Sequence, residues 1–255
     1  MKHVPDATAK RTFSADNTVD RTGVDGMLSE LDEYAIEEAL KIRDSADGDN
    51  QVIALTIGPE GARAAVTKAL QIGADSGLHV LDDAISGSDS AATSLVLAKA
   101  IEQQGPDLVL CGMASTDGSM SVVPAMVAER TGMPQVTLAS EVTLDGSTVR
   151  IRRDGDAATE IVEASLPALL SVTDQCNEPR YPSFKNIMSA KKKPVETLGL
   201  DDLGIDPSKV GLEAAWTRVE SVAERPPRSA GTIVADDNGS GAASLVSFLV
   251  DQKFV

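Results

Sequence analysis

The sequence predicts a doubly wound, mostly parallel α/β sheet, and two observations carry that prediction. Short runs that are apolar on both faces recur through the first part of the chain, and stretches with helical spacing lie between them. Strand and helix alternating at this interval form parallel strands covered on both sides.

In chain order, Leu31, Ala35, Ala39 and Ile42 mark a first helix, and residues 51–57 (QVIALTI) a first buried strand. A helix on Ala62, Val66, Ala69 and Leu70 leads to a strand at 78–81 (LHVL). A helix on Ala91, Leu95, Ala98 and Ile101 leads to a strand at 107–111 (DLVLC). A helix on Val123, Met126 and Val127 leads to a strand at 135–138 (QVTL). After Ser140 the pattern changes. Residues 142–152 (VTLDGSTVRIR) place Asp145-Gly146 between alternating runs, which is a hairpin signal. Residues 159–172 add a strand pair broken at Pro167. A long, irregular C-terminal arm holds Pro179, Pro182, Pro194, Pro207, Pro226 and Pro227, and closes with an amphipathic helix around Leu245, Phe248 and Leu249. Such an arm packs on a partner or on its own domain rather than folding alone. The whole is Rossmann-like, of the adenine nucleotide alpha hydrolase-like kind, with a β-hairpin addition and an irregular C-terminal arm.

Composition bounds the function. The 255 residues are 42% apolar and 24% charged, an ordinary globular balance. No apolar run approaches the roughly 20 residues of a membrane span. Residues 1–11 lack the apolar stretch of a signal peptide, which leaves the cytoplasm as the expected location. Cys111 and Cys176 form neither a disulfide framework nor a metal spacing, and read as reduced thiols, with Cys111 buried in a strand. The net charge of −16 repels nucleic acid, so no nucleic acid partner is expected. Spread along the chain, that acidity fits a halophilic protein in high salt.

Catalytic constellations are scarce in the sequence: there is no GxSxG, no HExxH and no Cys–His pair at useful spacing. His3 and His79 read as exposed or structural, and a self-contained enzyme is not expected. Three strand-to-helix junctions remain, where doubly wound folds bind ligands. The first is Ser29, Glu30, Leu31 and Asp32; read alone, Ser29 and Asp32 are helix capping. The second follows Ile57, at Gly58-Pro59-Glu60. The third is Gly112, Met113, Ala114, Ser115, Thr116, Asp117, Gly118, Ser119, Met120, Ser121, Val122 and Val123. It is longer and richer in hydroxyls than capping needs, and suits a nucleotide phosphate. Asp117 is unfavourable beside a phosphate unless it binds ribose or backbone N–H groups.

Residues 177–193 (NEPRYPSFKNIMSAKKK) are positive within an acidic chain. Tyr181, Phe184, Ile187 and Met188 amid Arg180, Lys185, Lys191, Lys192 and Lys193 read as apolar anchors with a charged rim, a docking site.

That segment, with LPALLSV before it, ALQIGAD at 69–75 and ASTDGSMSVVPA at 114–125, resembles the beta subunit of electron-transfer flavoprotein across nearly the whole chain. The resemblance implies an electron carrier, half of an alpha–beta heterodimer whose FAD is held mainly by the alpha subunit. It implies that electrons arrive from acyl-CoA-type dehydrogenases in fatty acid oxidation and pass to a membrane quinone oxidoreductase, the chain itself not being membrane-embedded. A structural AMP would lie against Ser29 to Asp32, Ile57 and Gly112 to Val123. The partner-binding residues would be Tyr181, Phe184, Lys185, Ile187, Met188 and Lys191, with Phe184 the anchor, and Asp154 would match an acidic residue that steadies partner motion. Residues 1–185 would form the nucleotide-binding domain, and 186–255 the recognition-loop helix and an arm packing on the partner subunit.

Two departures from the family pattern stand out. Members carry an apolar strand before Lys-x-Val-Pro-Asp, whereas here Met1 directly precedes Lys2-His3-Val4-Pro5-Asp6. A central strand of about 5–6 residues is therefore expected upstream. Electron-bifurcating members hold a second FAD in place of AMP; their Asp-Gly-Asp-Thr-Ala pattern is not that of Asp117-Gly118-Ser119-Met120-Ser121, which favours AMP. A stand-alone adenine-nucleotide-binding regulator of the universal-stress type shares the sheet and the phosphate loop and is the alternative from another class.

Overall fold

In the computed structural model, which describes residues 1–21, 23–228, 231–236 and 238–255, two compact units form, Met1–Glu220 and Ser221–Val255. The larger opens with β1 (His3–Pro5) and β2 (Gly26–Leu28), a short antiparallel pair. Then come α1 (Glu30–Ser45), β3 (Ile53–Ile57), α2 (Arg63–Ile72), β4 (Ser76–Val80), α3 (Ser90–Gln104), β5 (Leu108–Gly112), α4 (Val123–Thr131) and β6 (Gln135–Ala139). Each helix and buried strand read from the hydrophobic period is present. Local chemistry fixes their ends: Asp89 caps α3 by accepting from Ala92 N at 3.0 Å, and left-handed Gly105 and Gly132 close α3 and α4.

β7 (Glu141–Asp145) and β8 (Thr148–Asp154) make the expected hairpin. Asp145 pairs with Thr148, so the turn is Gly146-Ser147, one residue beyond the Asp-Gly signal, with Gly146 at φ 56°. β9 (Thr159–Ser165) and β10 (Ala168–Val172) flank Pro167, but they do not pair with each other. β9 adds to β8 to complete an antiparallel meander, whereas β10 is the central strand of a parallel sheet ordered β5-β10-β6. Side-chain patterning explains the split. β9 is mostly exposed, while every residue of β10 is buried, which suits a strand covered on both faces.

The irregular arm is more ordered than its prolines suggest. After α5 (Phe184–Ala190), β11 (Val195–Leu198) joins the edge of a second parallel sheet ordered β11-β4-β3. Leu198, Leu200, Leu203, Ile205 and Val210 then pack into one core with Leu78, Val80 and Val96. The smaller unit contains α6 (Ser240–Asp251), which buries none of its residues and exposes Leu245, Val246, Phe248 and Val250. No helix among the described residues is long and apolar enough to cross a membrane.

Candidate functional site

Both parallel sheets deliver their C-terminal ends to loops, and the start of α1 meets the loop after β5 there. Ser29 stands at the N-cap of α1 yet makes no side-chain cap bond. Its hydroxyl instead accepts from Thr116 N at 3.3 Å. Asp32 does not cap either: its Oδ2 accepts from Lys2 N at 2.7 Å. Capping therefore does not explain this pair. Gly112, the last residue of β5, lies so close beneath α1 that a β-carbon there would stand 2.7 Å from the Leu31 carbonyl and 2.8 Å from Asp32 Oδ1. The first and third junctions therefore meet.

Three cations that motif reading did not select converge on it. Lys2 Nζ and Arg21 Nη2 bind opposite oxygens of Asp117 at 2.9 and 2.6 Å, and Arg11 donates to the Thr116 carbonyl at 2.9 Å. The Asp117 side chain is only 2% exposed. Burial alone would raise its carboxyl, but Lys2, the Ser115 hydroxyl and Arg21 outweigh it and hold the group well below the ordinary carboxylate range. The acid that seemed unfavourable beside an anion is thus neutralised by Lys2 and Arg21, and it also accepts from Gly118 N at 2.7 Å. These cations lie in or beside segments without periodicity, so only their place in the fold could reveal them.

Ser119 and Ser121 adopt left-handed backbone at φ 52° and 56°, uncommon for residues with side chains. Ser119 N bonds the Ser115 carbonyl at 3.0 Å, and Met120 is exposed. α4 begins at Val123 with no side-chain cap bond; Pro124 has no N–H, so its first turn leaves the Val123 and Ala125 amides open to an anion. Glu30 begins α1, and Met113 and Ala114 lead from β5 into the loop.

Ile57 ends β3 and packs against the core around Leu78 and Val80. Thr56 Oγ1 donates to the Met1 carbonyl at 3.1 Å, so residues 1–2 bridge the second junction to the first. His79 Nε2 sits 2.9 Å from the Gly58 carbonyl, which holds the turn after Ile57, and the ring is fully buried rather than exposed. Cys111 and Cys176 are both free, and burial pushes their thiols up to about 11 and about 12, the latter also through Glu38.

The basic segment divides by direction. Arg180 and Lys193 turn inward, Arg180 onto Glu37 and Asp44 and Lys193 onto the Leu70 and Ala74 carbonyls. Lys185, Lys191 and Lys192 stay exposed. So do Tyr181 at 93%, Phe184 at 79%, Met188 and, at the margin, Ile187. Asp154 makes its bonds outside this segment. It accepts from Ser140 Oγ at 2.6 Å, Thr159 Oγ1 at 2.8 Å and Arg152 Nε at 3.0 Å, and these bonds, the Ser140 one foremost, lower its carboxyl. A hollow of about 160 Å³ at the ends of β5, β6 and β10 is lined by Asp154 together with Met113, Leu138 and Asp174.

Sequence reading also missed Glu37 and Glu38, which are buried on α1 and hold residues 177–180. The signal was present: Glu38 stands at helical spacing between Ala35 and Ile42, an acid within an apolar stripe. Among the described residues, no group of His, Cys, Asp and Glu could hold a metal.

The model of the electron transfer flavoprotein domain matches residues 16–203. The electron transfer flavoprotein subunit beta of Mycobacterium tuberculosis (strain ATCC 25618 / H37Rv) is 42% identical over all of this chain and 97% of its own length. That of Thermoanaerobacterium thermosaccharolyticum is 35% identical over 98% of this chain and 95% of its own. The caffeyl-CoA reductase-Etf complex subunit CarD of Acetobacterium woodii is 32% identical over all of this chain and 97% of its own.

Proposed function

The chain belongs to the electron transfer flavoprotein family as a beta subunit, an electron carrier rather than a substrate-converting enzyme, and on that premise we propose that it buries a structural AMP while its alpha partner holds the FAD. The observation that carries the AMP reading is the union of the α1 start with the loop after β5, through Ser29 Oγ and Thr116 N and the close seat of Gly112. The residues present fit such a group. Two helix starts lack side-chain caps, the loop offers hydroxyls and left-handed turns, and the Asp117 charge is compensated by Lys2 and Arg21. Ser29, Ser115 and the amides opening α4 would hold the phosphate, with Ile57 and Leu31 nearby as apolar walls.

Flavin supplies the redox chemistry of the heterodimer. What this chain adds is positioning. The exposed face of Tyr181, Phe184, Ile187 and Met188, rimmed by Lys185 and Lys191, would receive an acyl-CoA-type dehydrogenase, with Phe184 as the buried anchor in the complex. Asp154, held by Ser140, Thr159 and Arg152, would steady the flavin-bearing portion as it turns from dehydrogenase to a membrane quinone oxidoreductase.

The test is the nucleotide content of the co-expressed alpha–beta pair. A yellow heterodimer with one FAD and one AMP is the expected result. Two FAD per pair would replace AMP by the bifurcating arrangement, and a colourless homodimer that binds ATP would replace the carrier by a universal-stress-type regulator.

A further inference from the structure

We infer that Glu37 and Glu38 of α1 are positioning residues for the dehydrogenase-docking surface, setting the pose of α5 before any partner arrives; this rests on the docking reading of that face. Both carboxylates are nearly enclosed, at 6% and 3% exposure, on a helix whose neighbouring buried positions are Ala35, Ile36 and Leu40. Buried acids of this kind persist where they are paired. Their partners here come mainly from the stretch that leads into α5. Glu37 takes Arg180 through both oxygens, Nε to Oε2 at 2.7 Å and Nη2 to Oε1 at 3.0 Å, and also accepts from Arg180 N at 3.1 Å. Glu38 accepts from Asn177 Nδ2 at 3.0 Å and from Lys41 Nζ at 2.9 Å, while Asn177 also donates to the Tyr34 carbonyl at 3.0 Å.

The far side of α5 is pinned independently to α2. Asn186 Nδ2 donates to the Ile72 carbonyl at 3.3 Å, and Lys193 Nζ donates to the Leu70 and Ala74 carbonyls at 3.2 and 2.5 Å. A helix of seven residues is too short to hold itself in water. Clamped on both sides, it presents Phe184 and Met188 outward from a fixed base, beside the exposed Tyr181. A pre-ordered anchor avoids the ordering cost that a loose loop would meet on docking. Arg180 and Lys193 therefore serve the shape of the surface, and Lys185, Lys191 and Lys192 serve its charge.

Glu37→Gln keeps the side chain's size and removes its charge. In the co-purified flavin-bearing pair, KM for an acyl-CoA-type dehydrogenase, read from flavin reduction against dehydrogenase concentration, is expected to rise about tenfold. The rate at saturating dehydrogenase and the adenine nucleotide content stay unchanged. Amide hydrogen exchange across residues 181–190 accelerates about tenfold while that of residues 95–101 of α3 does not. Glu37→Asp, which retains the charge, recovers most of the KM. Unchanged KM with unchanged exchange would overturn the inference, and so would a joint loss of saturating rate and nucleotide, the mark of a merely structural residue. Phe184→Asp, measured alongside, separates the two readings. If it leaves KM unchanged, the docking reading fails, and exchange across 181–190 alone decides whether Glu37 positions α5. If Glu37→Gln does not fold, Lys193→Met, at the other clamp, is expected to show the same rise in KM and the same faster exchange, and the absence of both would overturn the inference equally.

Discussion

The hydroxyl of Ser29 receives the backbone N–H of Thr116 at 3.3 Å across 87 positions of sequence. One bond therefore ties the opening of the first helix to the loop behind the β5 strand. Lys2 repeats the tie with its two ends, the backbone N–H on Asp32 and the ammonium on Asp117. The proposed nucleotide site is thus held by residues from three separate parts of the chain.

Removing the Ser29 hydroxyl should loosen that junction. Ser29→Ala leaves the Thr116 amide without its partner, a cost of about 1–2 kcal/mol. A lower urea midpoint with an unchanged m-value, together with reduced AMP retention in the co-purified pair, is the expected outcome.

Gly112→Ala should be more severe. Its β-carbon would press on the Leu31 backbone carbonyl at 2.7 Å, and backbone yields less readily than a side-chain tip. Either α1 or the end of β5 must shift, so a loss of about 2–3 kcal/mol is expected. Thermal melting measures the loss, and nucleotide analysis should show AMP depleted even where the protein still folds.

Asp117 gives a pH signature. Its carboxyl titrates lower in the folded chain than in the unfolded one, so its pairing with Lys2 and Arg21 stabilises fully above the unfolded value of about 3.9 and is lost as pH falls toward the folded one. Asp117→Asn should cost about 1–3 kcal/mol at neutral pH. Denaturant titrations should find the gap between the two proteins constant from pH 8 to about 5 and closing only below about 4.

Phe184→Asp should spare the fold and impair docking. The side chain is 79% exposed, so its replacement removes little buried area. Stopped-flow reduction by the dehydrogenase is expected to slow by about tenfold or more at subsaturating partner, with melting temperature, FAD and AMP unchanged.

Salt should stabilise the protein. At a net charge of −16 the chain repels itself, and that repulsion is screened within about 3 Å in molar salt. The melting temperature is expected to climb from low to molar KCl; a flat or falling curve would remove the halophilic reading.

The sequence by itself determined the alternation of α1 to α4 with the buried strands, the hairpin, and the loop from Gly112 to Val123 as the chemically richest stretch. Those properties are local: hydrophobic period, glycine and proline placement and hydroxyl density are written in neighbouring residues. It also exposed the motif at 177–193, because apolar residues beside lysines form a contiguous pattern. Only the tertiary structure decided that β10, rather than pairing with β9, fills the middle of the β5-β10-β6 sheet, since parallel pairing joins segments far apart in sequence. It alone decided that Ser29 serves Thr116 instead of its own helix, that Lys2 and Arg21 neutralise Asp117, and that Glu37 draws Arg180 inward. Charge pairing depends on distance in space, and no periodicity in the chain records which cation will stand within hydrogen-bonding reach of a given carboxylate.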